Sequence, residues 1–376
     1  MKQKIAIIGG SYLQLPLVLK CKEMGIESHC FAWADGAVCD GYADYFYPIS
    51  IIEKEQILNK CKEIGIDAIA SIASDVAVIT VNYIADKMGL VANSVEYTDI
   101  TTNKYKMRQA LSSEGIPCPL FKLIADRELP DISKMTFPLI VKPTDRSGSR
   151  GVKKILEADE LRNAIDRAAG ESFKNEVIIE EYVEGREISV ESISFDGQHH
   201  ILQITDKVTT GAPYFVELEH HQPSTLPDEI KDQVKTIVLQ ALDALRIRNG
   251  ASHSEMKITP DGDIKVIEIG ARMGGDFIGS DLVKLSTGYD FVKGVVEVAL
   301  GIFKEPEFTE QKFSGVYFLS KETEHLQKYV DNWKNYPQIV RGERTDNELH
   351  EIHESADRSG YFIYQSDHKF NCDCPV

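Results

Sequence analysis

Two carboxylates in one segment are spaced so that they could hold a cation. Two β-like runs flank Pro260-Asp261-Gly262-Asp263, whose composition is typical of a tight turn. If these four residues form the loop of an antiparallel hairpin, Thr259 faces Ile264 and Glu255 lies directly opposite Glu268. Carboxylates that face each other across strands repel. Such a pair makes physical sense around a cation, and Mg²⁺ typically takes one or two carboxylates together with substrate phosphates.

A nearby arginine and a polar loop could complete a phosphate site. Arg272 follows Glu268 by four residues and can reach the same phosphates. Upstream, a strand-like run ends at Lys142 and precedes a polar loop of small residues, 144–151. Such a loop can close over a triphosphate through backbone N–H groups and Arg side chains. A surface hairpin with scattered charges and a mobile loop without a ligand are the alternative interpretations.

The bulk composition is that of a soluble globular enzyme. The chain has 376 residues, of which 43% are hydrophobic and 27% charged, and this length allows two or three domains. The net charge of −17 argues against nonspecific nucleic-acid binding, because that binding needs a basic surface. No apolar run reaches the roughly 18 residues of a membrane span, so none is expected.

The cysteine pattern indicates a reducing compartment. The seven cysteines are an odd number without paired zinc-type spacing, which fits free thiols in a cytoplasmic protein. Cys372-Asp373-Cys374 could bind a soft metal, but a frayed tail is the more ordinary interpretation. The apolar run Ile5-Ala6-Ile7-Ile8 is too short for a signal peptide and is followed by glycines, so it predicts a first β-strand.

The first part of the chain alternates between strands and helices. This alternation predicts a parallel sheet with helices on its faces. Gly9-Gly10-Ser11 lies at the first strand-to-helix turn, where backbone N–H groups can hold an anion, although a glycine pair needed only for the turn is equally consistent. The predicted strands are 4–8, 26–32 and 67–72, and the predicted helices are 12–24, 53–64 and 75–88.

Beyond residue 90 the pattern becomes mixed. The helix over 228–246 carries an apolar stripe, which indicates core packing. His199-His200 and His220-His221 are interpreted as surface-loop histidines. The other predicted elements are helices over 102–113, 158–169 and 289–302, strands over 137–142, 152–155, 176–182 and 188–195, and a β-rich remainder over 311–376 with a helix near 321–331.

Together these motifs resemble the ATP-grasp superfamily, in the branch that includes biotin carboxylase, carbamoyl-phosphate synthetase and the amino-acid ligases. The resemblance covers about residues 94–299 and involves several motifs in the expected order and spacing. It implies an α/β (α+β) protein of three parts. These are an N-terminal Rossmann-like parallel α/β domain over 1–93, an ATP-grasp body with a mobile lid over 94–305, and a small β-rich C-terminal domain over 306–376.

For the nucleotide, the resemblance implies ATP and a series of contacts along the body. Lys104 and Lys142 match the two lysines that contact the phosphates, and Lys142 is also assigned a catalytic role. The other implied ATP-binding positions lie in the lid (Ser147, Gly148, Ser149 and Gly151), in the adenine hinge (Glu180, Glu181 and Val183) and at the ribose (Glu187).

For the metal, the resemblance implies Mg²⁺ or Mn²⁺ on Glu255 and Glu268, with Arg272 as a catalytic residue that steadies the transferring phosphoryl group. One position departs from the pattern. Many members carry Glu-x-Asn-x-Arg, where the asparagine also touches metal, whereas this chain has Gly270, which has no side chain to offer. A water, or Ser254 or His253 nearby, would complete the shell, and the number of metals stays open.

These assignments predict an ATP- and Mg²⁺-dependent ligase that couples a carboxylate to an amine, or to a thiol, and that is similar to the amino-acid or dipeptide ligases. Phosphorylation turns a carboxylate into an acyl phosphate that an amine can attack, so the protein must align reactants and neutralise charge. We expect small-molecule carboxylate and amine substrates, ADP and phosphate as products, no nucleic-acid or membrane partner, and a homodimer as one option. Segments 209–214 and 217–223 are candidates for the acceptor site. The alternatives are a carboxylase-type enzyme that phosphorylates bicarbonate and a catalytically inactive nucleotide-binding regulator.

Overall fold

The computed structural model describes residues 2–125, 128–148 and 150–372, which contain three sheets with helices on their faces. No helix in these ranges combines the length and the apolarity that a membrane span needs. The three sheets have four, eight and four strands, and they are taken here in chain order.

The N-terminal part is a parallel sheet in the order β3-β2-β1-β4, as the alternation predicts. Strands β1 and β4 are largely buried and aliphatic because helices cover both faces of the sheet. The short β3 was not predicted. The elements are β1 (Lys4–Ile8), α1 (Leu15–Glu23), β2 (Glu27–Phe31), β3 (Tyr45–Tyr47), α2 (Lys54–Ile64), β4 (Ala68–Ala70) and α3 (Asp75–Met88).

The turn after β1 is closed by a side chain of the protein. Gln14 Oε1 accepts hydrogen bonds from the Ser11 N–H at 3.1 Å and from the Ser11 hydroxyl at 2.8 Å. Gln14 Nε2 in turn donates to the Ile72 carbonyl oxygen at 2.8 Å. The Ser11 N–H group that an anion would need is therefore already used. Of the two interpretations of Gly9-Gly10-Ser11, the structure favours the turn.

The second sheet is antiparallel, in the order β5-β8-β6-β7. Asn103 interrupts the helix predicted over 102–113, because its side chain accepts a hydrogen bond from the Lys106 N–H at 3.0 Å and caps a new helix that begins at Lys104. The elements are α4 (Thr98–Thr102), α5 (Lys104–Ser113), β5 (Phe121–Ile124), β6 (Leu139–Pro143), β7 (Lys153–Ile155), α6 (Leu161–Glu171) and β8 (Val177–Glu181).

The largest sheet has eight strands in the order β13-β12-β9-β10-β11-β14-β16-β15. Glu219 lies opposite Tyr317, so the sheet continues past residue 306 into the C-terminal part. Its strands are β9 (Arg186–Phe195), β10 (Gln198–Thr209), β11 (Glu217–Gln222), β12 (Gly250–Ile258), β13 (Ile264–Gly270), β14 (Phe313–Leu319), β15 (Ile339–Arg344) and β16 (Gly360–Ser366). The helices of this part are α7 (Asp228–Ala244), α8 (Val283–Thr287), α9 (Phe291–Ala299) and α10 (Gln327–Asp331).

The two histidine pairs lie on strands, so the surface-loop interpretation was wrong. His199 and His200 belong to β10, and His220 and His221 to β11. His220 is 1% exposed and His221 is fully buried. Both strands escaped prediction because one face of this sheet is polar. Side chains such as that of Lys207 point to the cleft that the sheet lines, and they hide the usual alternation.

Candidate active site

Strands β12 and β13 form the expected hairpin, with Glu255 directly opposite Glu268. The predicted turn was wrong, because Ile258 rather than Thr259 pairs with Ile264, and residues 259–263 form the loop. A β-bulge between the turn and the carboxylates, with Ile267 as the extra residue, then shifts the register by one. The two differences cancel, so the glutamates face each other as the spacing predicts.

Most of the predicted site residues line a single cavity of about 210 Å³. They are Lys104, Lys142, Ser147, Gly148, Glu180, Glu181, Val183, Glu187, Glu255, Glu268 and Arg272. The structure does not bring Gly151 into this group. Gly151 is buried, and a Cβ there would lie 3.0 Å from the Pro143 side chain and 3.1 Å from that of Glu171. Ser149 lies outside the described residues.

Both predicted lysines are held against carboxylates. Lys104 Nζ lies 2.7 Å from Glu268 Oε1 and 2.6 Å from the Arg146 carbonyl oxygen, and Lys142 Nζ lies 2.7 Å from Glu180 Oε2. Burial opposes the charge on Lys104, but Glu268 raises its pKa overall. For Lys142, burial outweighs the attraction of Glu180 and lowers the pKa. The two ammonium groups are thus fixed at the cavity wall, where phosphate oxygens could replace the carboxylates.

Arg108, which the sequence did not single out, supports the site from behind. Its Nε lies 2.7 Å from Glu180 Oε1, although this N–H is not aligned for a hydrogen bond. Its Nη2 donates to the carbonyl oxygen of Ile267, the bulge residue. Burial opposes the charge on Glu180, but Arg108 and Lys142 hold its pKa below the usual range. Through Glu180, one buried arginine therefore connects Lys142, a predicted ATP contact, to the hairpin that carries the two facing glutamates.

The Glu255–Glu268 pair fits a magnesium ion in its donor chemistry. No three His, Cys, Asp or Glu side chains of the described ranges are arranged to hold a metal by themselves. Two protein carboxylates completed by phosphate oxygens and water are, however, the usual Mg²⁺ environment. The ion pairs of both glutamates involve Oε1, with Lys207 Nζ at 2.6 Å from Glu255 and Lys104 Nζ at 2.7 Å from Glu268. Burial opposes the ionisation of Glu255, but Lys207 and His253 hold its pKa well below normal.

Of the two candidates for a further ligand, only His253 faces the pair. Ser254 points to the opposite face of β12 because side chains alternate along a strand. His253 Nδ1 contacts Glu191 Oε1, and its Nε2 lies 3.3 Å from Glu255 Oε1. Burial alone would lower the pKa of His253, but Glu191 and Glu255 raise it to about 9. Near neutral pH both ring nitrogens therefore carry protons, and the ring acts as a hydrogen-bond donor to these acids.

Asp75, on the first turn of α3, holds the predicted catalytic arginine. Arg272 Nε lies 3.0 Å from Asp75 Oδ1, and Nη2 lies 3.2 Å from Oδ2. Burial opposes the charge on Arg272, but Asp75 raises its pKa overall. A Cβ on Gly270 would lie 2.8 Å from Asp75 Oδ1 and 3.1 Å from Arg272 Nε. The glycine that departs from the family pattern thus leaves the space that the Asp75 carboxylate occupies.

Sequence reasoning also missed Lys207, which lies among three carboxylates. Its Nζ lies 2.6 Å from Glu255, 3.3 Å from Glu187 and 3.6 Å from Glu217. These acids raise its pKa well above normal against the opposing effect of burial. The signal that could have found it is a charged pair, Asp206-Lys207, within an otherwise strand-like run. Asp75 could have been found from its place after a parallel strand, where open α/β sheets bind ligands.

A larger cavity of about 830 Å³ adjoins the first and shares Asp75, Lys207, Glu255 and Arg272 with it. It extends to the N-terminal sheet and to residues 354–356 of the C-terminal part. Of the two segments predicted to line an acceptor site, 217–223 contributes Glu217 and His220 to its wall, and the cavity lining includes nothing from 209–214. The larger cavity therefore adjoins the predicted phosphate site.

Residues 135–281 match the family model of the ATP-grasp domain. The chain contains an ATP-grasp domain. The matched range begins before Lys142 and ends after Arg272, so it includes the lid, the hinge and the carboxylate hairpin. The resemblance to the ATP-grasp superfamily that the motifs indicated is therefore confirmed.

Several similar proteins are ligases by name. The alanine–anticapsin ligase of Bacillus subtilis (strain 168) is 27% identical over 245 residues, which are 59% of this chain and 51% of that protein. The D-alanine–D-alanine ligase of Cupriavidus metallidurans is 23% identical over 206 residues, or 52% of this chain and 62% of that one. This chain spans about half the length of the curated relatives it matches first.

The fold is also that of solved ATP-grasp structures. An L-amino acid ligase from Bacillus licheniformis superposes with a TM-score of 0.81 and 21% identity, over 98% of this chain and 94% of that chain. An ADP complex of an N5-carboxyaminoimidazole ribonucleotide synthetase superposes with a TM-score of 0.79 and 17% identity, over 97% and 93%. Identity this low shows the fold alone, and it confirms the predicted mixed α/β class.

Proposed function

We propose that the protein is an ATP- and Mg²⁺-dependent ligase that joins a carboxylate to an amine and releases ADP and phosphate. The observation that carries the proposal is the convergence of Lys104, Lys142 and Arg272 on the cavity that contains the Glu255–Glu268 pair. Three cations beside a pair of carboxylates that could hold a divalent metal suit a triphosphate. The larger adjoining cavity offers room for two further reactants. The ligase names of several similar proteins support the same reaction class.

The residues would act through position and charge. Lys104 and Lys142 would exchange Glu268 and Glu180 for phosphate oxygens of ATP and thereby orient the chain of phosphates. Arg272, fixed by Asp75, would steady the γ-phosphoryl group as it moves. Mg²⁺ held by Glu255 and Glu268 would neutralise negative charge on the phosphates. The remaining predicted contacts of the nucleotide are those of the lid, the hinge and Glu187.

The proposed reaction then takes two chemical steps. A substrate carboxylate oxygen forms a bond to the γ-phosphorus while the bond from that phosphorus to the bridging oxygen of ADP breaks. The amine nitrogen next attacks the acyl carbon, phosphate leaves with the former carboxylate oxygen, and the nitrogen loses a proton to give the amide. The cavity must align these groups and exclude water, because water would hydrolyse the acyl phosphate.

An oxygen-labelling experiment tests the mechanism. ADP release is first measured across pairs of amino acids and with bicarbonate, which identifies an active substrate set. With ¹⁸O in the substrate carboxylate, we expect label in the released phosphate. AMP and pyrophosphate as stoichiometric products would refute the acyl-phosphate mechanism, and ADP release that depends on bicarbonate alone would favour a carboxylase instead.

The proposal includes a cytoplasmic location for the protein. Within the described ranges, the cysteines at positions 21, 30, 39, 61 and 118 form no disulfide. Free buried thiols fit a reducing cytoplasm, where ATP is also available.

A further inference from the structure

One stretch of the wall of the 830 Å³ cavity gathers two carboxylates around a single buried cation. Arg358, from the C-terminal part, is held by Asp276 Oδ2 at 2.8 Å from Nη1 and by Glu217 Oε2 at 3.3 Å from Nη2. Its Nη2 also donates to the Glu217 carbonyl oxygen at 2.9 Å, and its guanidinium lies 3.8 Å from the centre of the Phe318 ring. Asp276 and Glu217 both line the cavity, so this part of the wall carries more negative than positive charge.

A second cation, Lys207, does not neutralise this excess of negative charge. Lys207 lies 3.6 Å from Glu217, but it is closer to Glu255 and Glu187. Burial raises the pKa of Glu217, and the charges of Asp276 and Glu255 add to the rise while Lys207 and Arg358 oppose it. Crowded carboxylates of this kind are stabilised when a further cation approaches them.

A buried histidine in the wall of the same cavity has no hydrogen-bond partner within the described ranges. His220 is 1% exposed and lines the same cavity, and neither of its ring nitrogens makes a hydrogen bond there. Burial, together with the charges of Lys207 and Arg358, lowers its pKa well below normal, so the imidazole is neutral. A buried polar side chain without a partner is costly, and a neutral imidazole can accept one hydrogen bond from a ligand donor.

The N-terminal part contributes an aromatic ring to the same wall. Tyr12 lines the cavity and remains 53% exposed. Burial raises the pKa of its hydroxyl, and the Asp276 charge adds to the rise. An aromatic face next to carboxylates is a favourable environment for an ammonium ion. Arg272 belongs to the same cavity, four residues before Asp276, and offers the opposite charge.

We propose that Asp276 and Glu217, with His220 and Tyr12, bind the ammonium group of an amino-acid substrate whose carboxylate lies toward Arg272. The inference rests on the proposed function only in that this carboxylate is the one to be phosphorylated. It assigns residues of this chain to the ammonium group of the amino acid, which the resemblance to the amino-acid ligases left open. It also gives the C-terminal part a role, because Arg358 positions both acids.

The proposal is tested by binding, without any need for turnover. Each L-amino acid is titrated calorimetrically into the full chain with Mg²⁺ and a non-hydrolysable ATP analogue, and the tightest binder is compared with the same acid lacking its α-ammonium group. We expect the desamino acid to bind at least about tenfold more weakly, since it loses charged hydrogen bonds. A wild-type protein that discriminates in this way but never releases ADP would refute the proposed function and leave this inference standing.

Two variants separate recognition from folding. Asp276→Asn should weaken the amino acid at least about tenfold while leaving the desamino acid within about twofold, because only the former uses the charge. Asp276 has a φ of 47°, and asparagine tolerates this left-handed conformation, so the variant should fold. Glu217→Gln is the second variant, and we expect it to weaken the amino acid but not the desamino acid in the same way.

The matched control is Asp35→Asn, which removes an exposed carboxylate at the mouth of the same cavity and should change neither affinity. Equal affinity of wild type for the amino acid and its desamino form would overturn the proposal. The same conclusion would follow if both variants weakened both ligands equally, or if no L-amino acid bound at all.

Discussion

Each cation that the site would use on phosphate is already paired with a carboxylate of the protein. Lys104 lies against Glu268, Lys142 against Glu180, and Arg272 against Asp75. An unpaired charge at such depth would be strongly destabilising, by about 3–5 kcal/mol for a broken buried pair. If a phosphate oxygen replaces the carboxylate, the buried cation is never left unpaired, and this cost is avoided. The pairs therefore keep the cations in place and charged until phosphate oxygens arrive.

At the residue scale we expect Glu268→Gln to abolish nearly all ATP turnover while the fold stays intact. The change relieves repulsion between facing carboxylates, but it weakens Mg²⁺ binding and leaves Lys104 without its counter-charge. ADP release measured over a range of Mg²⁺ concentrations checks this. Asp261→Asn, on the exposed tip of the same hairpin, should behave like wild type. Normal turnover of Glu268→Gln at low Mg²⁺ would refute the metal assignment.

We also expect Gly270→Asn to lower kcat, although it restores the residue of the common family pattern. The new side chain would begin 2.8 Å from Asp75 Oδ1 and would push this carboxylate away from Arg272. A loss of about tenfold or more is expected if the arginine is misplaced. Steady-state kinetics and thermal unfolding are measured together. Gly170→Ala, in α6, is the control because a Cβ there meets nothing within 4 Å. An unchanged kcat would show that Arg272 does not need Asp75.

Residues within a recognisable motif could be predicted, whereas their partners could not. The Glu255–Glu268 pairing was predicted from the spacing around a turn, and it is right because the longer loop and the bulge at Ile267 offset each other. Asp75, by contrast, meets Arg272 across 197 residues of sequence, and no local pattern marks such a contact. Arg358 likewise reaches the cavity wall only through the fold, because it lies far along the sequence from Asp276, which it contacts.

At the scale of elements, β6 ends close to Lys142, the predicted ATP contact, and the loop after this strand is the predicted lid. We expect Lys142→Ala to raise the KM for ATP about tenfold or more, because a buried charge contact to phosphate is lost. We expect residues 144–151 to exchange amide hydrogens more slowly once an ATP analogue and Mg²⁺ are bound. Lys134→Ala, at an exposed position just before β6, should leave both quantities unchanged. Exchange in 144–151 that does not respond to nucleotide would contradict the lid assignment.

Elements with clear boundary residues were predicted well. Helix α3 was predicted over 75–88 and occupies the same residues, because Ser74 caps it and Gly89 ends it. Strands β10 and β11, by contrast, were missed. Their polar residues face a buried cleft, so a pattern that normally indicates exposure appears inside the protein.

At the scale of the molecule, the β-strands beyond residue 306 complete the sheet that carries the site. Strand β14 pairs with β11 over residues 219–222, and β16 and β15 follow it. Arg358 adds a buried connection to Asp276 and Glu217. The predicted boundary at 305 is therefore not a break in the large sheet, because its hydrogen bonds run across this position.

We therefore expect the C-terminal part to unfold together with the body. A chain ended after residue 305 would lose three strands and expose the edge of β11, so it should fail to fold cooperatively. For the full chain, thermal unfolding followed by circular dichroism and by hydrogen exchange of peptides from 313–366 should give coincident midpoints. A separate, earlier transition of these peptides would instead indicate an independent domain.

The bulge at Ile267 has a practical consequence for studying turnover. It separates the hairpin tip from the two glutamates, and Arg108 anchors its carbonyl oxygen, so the tip can change in length without moving the carboxylates. Asp261 lies at this tip and is exposed. A short fluorophore-binding peptide inserted between Asp261 and Gly262 would therefore project into solvent. The bound fluorophore would allow the turnover of single molecules to be followed.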